Sequence, residues 1–415
     1  MKYVRSYCLV IINLKWGLIA DKEIVKMKIN GIESSQILTS ILENLYKKLE
    51  NPATNLTFAL KVIDSPDVAK AIFLAPNLFV KNYSFIENLS KGRISANGEN
   101  WKQRASISQS FFSQAHVVLD DVALETIYRK HLLAYLNSST PNLYETIVDA
   151  AVEVVSQVLG LQHPIPWPTT LVNRARQALI DQQAMAWVNT DSSLMQQSQI
   201  ELNIIFSELQ TLWEDDLALV SLLNTFAVSG KSIANFSPSG ELVQILFAST
   251  ETTASSMLWI IECLTRHSEM QMRDDDELEY FIDEVLRLFP PVPFVTRVCL
   301  EDSEINGIYF AKNEPVIISI IGVHCHPQYW SEPMLFKVKR EEFVSGSYAR
   351  HAYIPFLSGP RACAGMKLAK QEVKCGIRAL LEIFNINPCH EDRVIEYGIS
   401  SKPNIKLETY LVPHG

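Results

Sequence analysis

The sequence has no apolar run long enough to cross a lipid bilayer, which needs roughly 20 residues. The apolar stretch at 7–14 is interrupted by Lys15 and is not followed by a small-residue cleavage site. This pattern argues against a membrane span and against a signal peptide. There is also no CxxC pair among the seven cysteines, so a disulfide framework is not expected. These absences predict a cytoplasmic protein.

Positive charge is in deficit. Lys and Arg together number 37 against 46 Asp and Glu, which gives a formal net charge of −9. No stretch has the basic face that binds a phosphate backbone, so no nucleic-acid partner is expected. Internal repeats and low-complexity linkers are absent as well, and 47% of the residues are hydrophobic. We therefore expect one domain over residues 1–415 with a large core, and a monomer.

Helical periodicity dominates the chain, and strand-like patterns are confined to short segments. Proline and glycine break the helical region at 164–168 and at Gly230. The sequence predicts a mainly α fold with small β-sheets, of the α+β class. The predicted segments are a mostly helical region at 101–233, helices at 240–267, 274–289 and 364–384, short strands within 292–322 that turn at Asn306-Gly307, and a hairpin around 397–403.

Cys363 stands directly before the last predicted helix. A helix N-terminus and a nearby cation such as Arg361 both favour the thiolate form. Gly359 and Gly365 allow the backbone to approach a flat ligand closely. A haem suits this arrangement, because a thiolate ligand pushes electron density onto the iron and favours O–O cleavage. The alternative is a buried, inert cysteine at a helix start.

The segment from Phe356 to Gly365 resembles the haem-binding loop of the cytochrome P450 family, Phe-x-x-Gly-x-Arg-x-Cys-x-Gly, at all five fixed positions. The resemblance implies the cytochrome P450 fold, in which a long central helix lies over haem b. It makes Cys363 the axial ligand of the haem iron and places Phe356 near its sulfur. Arg361 would pair with a haem propionate.

Three further segments are similar to segments of the family. Glu284 and Arg287 match its Glu-x-x-Arg motif, and Arg340 matches the later arginine that completes a buried structural network, although Val338 replaces the usual proline. Taken alone, Glu284 and Arg287 are an ordinary i,i+3 pair on one helix face. By resemblance, Arg297 binds a haem propionate.

The long predicted helix carries hydroxyls and a carboxylate at 249–253, an unusual composition for the middle of a helix. A polar helix face is one interpretation. The segment also resembles the oxygen-side groove of the family, with Ser249 where glycine is usual. The resemblance implies that Thr252 lies over the iron and that Glu251 supplies protons through water. Phe247 and Ala248 would face the substrate and the haem.

Trp101 matches the propionate-side tryptophan of the family, but Ala105 stands where its basic partner is usual. Either the helix shifts locally so that Arg104 serves, or this propionate contact is lost. A separate cluster, His324-Cys325-His326, has the ligand types of a metal site. Consecutive residues do not converge on one ion unaided, and no second cluster completes a zinc site, so we interpret it as structural.

The resemblance implies a monooxygenase that inserts one oxygen atom from O2 into a small, largely hydrophobic substrate. Electrons would come from a ferredoxin or flavodoxin with an NAD(P)H-dependent reductase, as in soluble bacterial-type members. A peroxygenase or isomerase, a haem-based sensor or carrier, and a chain that no longer binds haem remain alternatives. The candidate substrate-pocket residues are Phe247, Ala248, Val292, Phe294, Val295 and Ile399.

Overall fold

The computed structural model describes residues 34–51, 60–83, 86, 90–188, 193–267 and 275–414. The apolar stretch at 7–14 lies outside the described residues. Helices make up most of the described chain. In chain order they are α1 (Ser34–Glu50), α2 (Pro66–Leu74), α3 (Gly98–Val118), α4 (Asp121–Leu136), α5 (Leu143–Val158), α6 (Thr169–Val188), α7 (Ser193–Glu214), α8 (Leu217–Ser229), α9 (Pro238–Arg266), α10 (Asp275–Leu288), α11 (Ile320–His324), α12 (Glu341–Val344) and α13 (Met366–Ile383).

The strands are short and form one four-stranded sheet and three two-stranded ones among the described residues. In chain order they are β1 (Lys61–Ile63), β2 (Phe79–Val80), β3 (Phe294–Cys299), β4 (Ser303–Ile305), β5 (Ile308–Phe310), β6 (Pro315–Ser319), β7 (Phe384–Ile386), β8 (Ile395–Tyr397), β9 (Ser401–Pro403) and β10 (Leu411–Pro413). The order in the larger sheet is β1-β6-β3-β2, with β1 parallel to β6 and the other neighbours antiparallel. The antiparallel pairs β4–β5, β8–β9 and β7–β10 form the two-stranded sheets.

Helix α9 runs through the main core and packs against α5 and α13. Its start is set locally, since the Ser237 hydroxyl accepts a hydrogen bond from the Gly240 N–H and Pro238 occupies the first turn. Both are common features of helix N-termini. Arg266 lies in the last turn, where a cation interacts favourably with the helix dipole. The long predicted helix is thus present and begins two residues earlier than expected.

The predicted fold class is confirmed, and so is the turn at Asn306-Gly307, where both residues have positive φ as a tight hairpin requires. The short strands expected within 292–322 are present as β3 to β6. The expectation was wrong only at the end of this range, because residues 320–324 form helix α11, whose first turn is capped by the Ser319 hydroxyl through the Gly322 N–H. No helix among the described residues combines the length and apolarity that a membrane crossing requires.

Candidate active site

The loop before α13 holds Cys363 in a tight backbone arrangement. The Cys363 N–H donates to the carbonyl of Phe356 at 2.9 Å, and the half-buried Phe356 ring packs against the main core. Gly359 has φ +72°, and a Cβ there would lie 2.5 Å from the Phe73 carbonyl oxygen. Only glycine fits this position.

Gly365 is different, because no protein atom demands a glycine there. Its φ is −89°, which any residue adopts. A Cβ at Gly365 would meet only the ring of Phe112, at 3.8 Å. The chain therefore leaves an open space beside Gly365, on the loop that carries Cys363.

Cys363 is exposed, yet burial raises the pKa of its thiol, while the Gly365 N–H, Arg93 and Lys81 oppose that rise. Cys363 is therefore accessible, although the groups around it desolvate its thiol. Ala248 shows a similar exposure on α9, between buried neighbours such as Leu246 and Thr250. Both residues lie on the elements predicted to enclose the haem.

Lys81, Arg297 and Arg361 line one small cavity together. Burial lowers the pKa of Lys81 well below its usual value, and Arg361 and Arg297 lower it further. Burial and then Arg297 likewise lower the pKa of Arg361 to about 10. None of the groups acting on these three cations is a carboxylate. Such a cluster is costly unless an anionic ligand neutralises it, and two propionates fit that need.

The Arg361 guanidinium also lies over the Trp101 ring and donates to the Ala96 carbonyl at 2.7 Å. The guanidinium Nε of Arg361 is buried and has no hydrogen-bond partner among the described residues. Lys81 was missed at the sequence level, because a lone lysine in a loop carries no motif; only the fold brings it beside the two arginines.

The contacts of Arg104 bear on the two alternatives for the propionate contact that Ala105 leaves open. It is fully buried, and its guanidinium donates to the backbone carbonyls of Gly92, Ala234 and Asn235. These contacts anchor two loops to α3. Because they occupy the guanidinium, the geometry argues against the predicted contact between Arg104 and a propionate.

On α9 the hydroxyls bond back to the helix. The Thr252 hydroxyl donates to the Ala248 carbonyl at 2.8 Å, and Thr250 does the same to Leu246. Thr252 is only half-buried. Back-bonded hydroxyls of this kind bend a helix locally, which suits a groove beside Ala248.

Glu251 is 3% exposed and is held by two residues that the sequence did not single out. The Tyr144 hydroxyl and the Arg176 Nε each donate to one of its carboxylate oxygens, both at 2.6 Å. Arg176 also bonds Glu145 at 2.8 Å. Burial lowers the pKa of Arg176, but Glu251 and its other anionic neighbours more than offset this. The motif predicted an acid here, and no sequence signal pointed to its partners on α5 and α6.

Glu284, Arg287 and Arg340 are all fully buried and meet in one network. Both arginines donate to the Glu284 carboxylate, at distances of 2.7 to 3.1 Å. Val338 does not prevent this arrangement. The geometry is that of a structural core cluster.

A cavity of about 250 Å³ lies beside β3 and β6. Of the predicted pocket residues it is lined by Val292, Phe294, Val295 and Ile399, whereas Phe247 and Ala248 are not in its lining. The Phe247 ring packs on Trp167, with 5.1 Å between centroids. Residues that sequence reasoning missed include Leu179, Gln183 and Tyr397; they come from elements with no motif.

No group of three or more metal-ligating side chains that could hold an ion occurs in the described part of the chain. His324 and Cys325 are buried, and His324 bonds backbone groups on both sides.

Comparison with known proteins gives a consistent picture. A family model described as "Cytochrome P450" matches residues 119–398. Cytochrome P450 3A11 of Mus musculus is 30% identical over 189 residues, which is 40% of this chain and 38% of that protein. Cytochrome P450 3A5 of Homo sapiens is 29% identical over 187 residues, or 40% of this chain and 37% of that protein. The match thus spans well under half the length of these curated relatives.

Solved structures resemble the chain over more of its length. The heme domain of a cytochrome P450DA mutant gives a TM-score of 0.66 at 17% identity, covering 82% of this chain and 85% of that one. A 6-coordinated cytochrome P450 from Thermus thermophilus gives 0.63 at 18% identity, covering 86% and 92%. At such identities the likeness shows the shared fold.

Proposed function

Because the chain belongs to the cytochrome P450 family, we propose that it is a haem-thiolate monooxygenase in which Cys363 ligates the iron of haem b. The observation that carries the proposal is the combination of two features on neighbouring elements. One is an exposed but desolvated Cys363 before a helix. The other is a buried set of cations without a carboxylate.

In this proposal the chain holds the haem through both features. Arg297, Arg361 and Lys81 bind the propionates, and Trp101 fixes the Arg361 guanidinium from one side. Gly359 shapes the turn, Phe356 packs near the sulfur, and the space beside Gly365 would leave room for the haem. Ala248, exposed on α9, leaves room on the opposite face.

The bound haem supplies the activation of O2 and the transfer of one oxygen atom to the substrate. The chain supplies protons. We assign Glu251 as the proton donor and Thr252 as the hydroxyl that relays protons through water. Since Arg176 and Tyr144 hold both oxygens of Glu251, at least one of these contacts must open before the carboxyl group can turn towards Thr252.

The substrate is proposed to be a small, largely hydrophobic molecule. The cavity beside β3 offers mainly apolar side chains, among them Val292, Phe294, Val295 and Ile399. Apolar walls with few polar groups are typical of sites for such ligands. Phe247 and Ala248 are proposed to be the substrate-contacting residues nearest the haem.

The electron donor is proposed to be a ferredoxin or flavodoxin that is reduced by an NAD(P)H-dependent reductase. Lys102 and Lys367 are exposed on α3 and at the start of α13, near the Cys363 loop, and offer charge complementary to an acidic carrier. Relatives of both mammalian and bacterial origin match the chain, so a bacterial-type membership stays a prediction. A single domain, a monomer and a cytoplasmic location also stay predictions of the sequence.

The test is a carbon monoxide difference spectrum of the reduced protein beside a Cys363→Ser control. We expect the red-shifted Soret band of a thiolate-ligated haem, which the control loses. Product formation from a hydrophobic compound should then require O2, reductant and a surrogate ferredoxin. Turnover with hydrogen peroxide alone would favour a peroxygenase, and a normal spectrum without turnover would favour a carrier. Absence of bound haem would overturn the proposal.

A further inference from the structure

His324 is the last residue of α11 and is fully buried. Its Nε2 lies 2.8 Å from the backbone N–H of Ile354, and its Nδ1 lies 3.0 Å from the carbonyl oxygen of Arg287. An N–H can only donate and a carbonyl can only accept. The ring is therefore neutral, with its proton on Nδ1. Burial agrees with this state, since it lowers the pKa of His324 to about 3.

The His324 ring thus bridges the Arg287 carbonyl and the Ile354 N–H, and the Arg287 end of this bridge is held firmly. Arg287 belongs to the buried network with Glu284 and Arg340, and its Nη1 donates back to the His324 carbonyl at 3.1 Å. His324 and Arg287 are thus joined by two hydrogen bonds, one through each side chain. The position of the imidazole is fixed relative to α10.

The Ile354 end of the bridge is connected to Cys363 through two backbone hydrogen bonds of the same loop. The Leu357 N–H donates to the Ile354 carbonyl at 2.9 Å, and the Cys363 N–H donates to the carbonyl of Phe356, also at 2.9 Å. Leu357 has φ +61°, a conformation that costs a non-glycine residue about 1–2 kcal/mol. A strained turn persists only where its surroundings fix it, and the His324 bond to Ile354 lies at the start of this turn.

We propose that His324 is a positioning residue, which fixes the turn from Ile354 to Leu357 against the buried Glu284–Arg287–Arg340 network and so sets the place of the Cys363 sulfur. The inference rests on the proposed haem ligation by Cys363. It assigns a role to a histidine that is neither a metal ligand nor part of the ion network.

Two substitutions separate the two ends of the bridge. In His324→Asn the amide overlays Nδ1 and keeps the bond to the Arg287 carbonyl, but nothing reaches Ile354. In His324→Gln the amide oxygen overlays Nε2 and still accepts from the Ile354 N–H, while the side-chain bond to the Arg287 carbonyl is lost. Each variant loses one hydrogen bond, so their thermal stabilities should be similar. Val148→Ala, in the buried face of α5, serves as a destabilised control remote from the loop.

The readout is the carbon monoxide difference spectrum of the purified haem-bound proteins, scored as the ratio of the thiolate band to the blue-shifted band of a detached or protonated thiol. We expect His324→Asn to lower this ratio about tenfold, the effect of about one hydrogen bond. His324→Gln should stay near the wild-type ratio, because Arg287 Nη1 still donates to the backbone carbonyl of residue 324 and keeps that residue tied to the network. Val148→Ala should also stay near the wild-type ratio.

Equal ratios in the Asn and Gln variants would overturn the inference while leaving the proposed function intact. A wild-type protein without the thiolate band would overturn both. If His324→Asn yields no folded protein, His324→Gln still decides, because loss of its thiolate band in a folded protein contradicts a positioning role that acts through Ile354.

Discussion

The guanidinium carbon of Arg361 lies 4.4 Å from the centroid of the Trp101 ring. This contact holds the planar guanidinium in one orientation, although its Nε has no hydrogen-bond partner among the described residues. Without an anion, Arg361 and Arg297 repel each other, and burial makes both charges costly. No carboxylate is among the groups that act on Arg297 and Arg361, so an acidic ligand would compensate their buried charge.

Haem affinity should depend on that charge. Arg297→Gln is expected to weaken haem binding by about 10- to 100-fold, since a hydrogen bond to a charged group is worth about 1.5–3 kcal/mol. Titration of haem into the haem-free protein measures the effect. Arg174→Gln is the matched control, because Arg174 is exposed and pairs with Glu201 on the surface. A similar loss in both variants would argue against a propionate site.

The two loop glycines should respond differently to alanine. Gly359→Ala places a Cβ 2.5 Å from the Phe73 carbonyl oxygen at positive φ, so the haem-free protein should be less stable by at least about 1–2 kcal/mol. Gly365→Ala meets no close protein atom. It should leave the unfolding curve of the haem-free protein, followed by circular dichroism, unchanged and should reduce haem affinity. Normal haem binding by Gly365→Ala would show that the space beside it serves another purpose.

Breaking the buried ion pair between Arg176 and Glu251 should lower the free energy of unfolding. Arg176→Met strands the Glu251 carboxylate, and loss of one partner of a buried pair costs about 3–5 kcal/mol. Adding Glu251→Gln should recover part of this loss, which a double-mutant cycle by denaturant unfolding measures. Arg174→Met removes an exposed pair on the same helix and should cost no more than about 1 kcal/mol. Strict additivity in the cycle would mean that Arg176 and Glu251 are not coupled.

The stability of the protein should fall with rising pH because of Glu372. Burial raises the pKa of this carboxyl from its usual 4.5 to about 8, partly opposed by the Tyr128 hydroxyl that bonds it. Between these values the folded state binds more protons than the unfolded state, so this contribution is complete below pH 4.5 and is lost as the pH rises to about 8. Glu372→Gln keeps an acceptor for Tyr128 and should remove that part of the slope in thermal unfolding. An unchanged slope would contradict the shifted pKa.

Local signals predicted the elements of the fold well. The apolar pattern predicted α9 with a start at 240, whereas the Ser237 cap and Pro238 begin it at 238. Asn306-Gly307 specifies the β4–β5 turn. The order of the larger sheet could not be predicted, because it pairs β1 with a strand more than 250 residues later, and pairing between distant strands leaves no local pattern. The helix at 320–324 was missed for a related reason, since its β-branched residues suit either structure and the Ser319 cap decides.

Some residues of the candidate site could likewise be predicted from local sequence signals, and others could not. Cys363, Arg361 and Glu251 stand in motifs, so their residue types and spacing were sufficient to select them. Lys81 and Arg176 stand in no motif. Only the packing of the fold shows that Lys81 lies near Arg361 and that Arg176 bonds Glu251. Arg104 is the opposite case. Its place near Trp101 in the sequence suggested a propionate contact, but its guanidinium donates to backbone carbonyls instead.

The larger sheet also constrains how the chain folds during synthesis. Its two edge strands, β1 and β2, are made first, and the central strands β3 and β6 follow much later. Lys61 and its ion-pair partner Glu314 are 253 residues apart, which corresponds to roughly 13 to 50 seconds of translation. During that interval β1 and β2 have been synthesised, but the strands with which they form hydrogen bonds have not. Because β1 pairs with β6 and β2 pairs with β3, the larger sheet cannot form until its central strands have been made, so its formation is a late event in the synthesis of the chain.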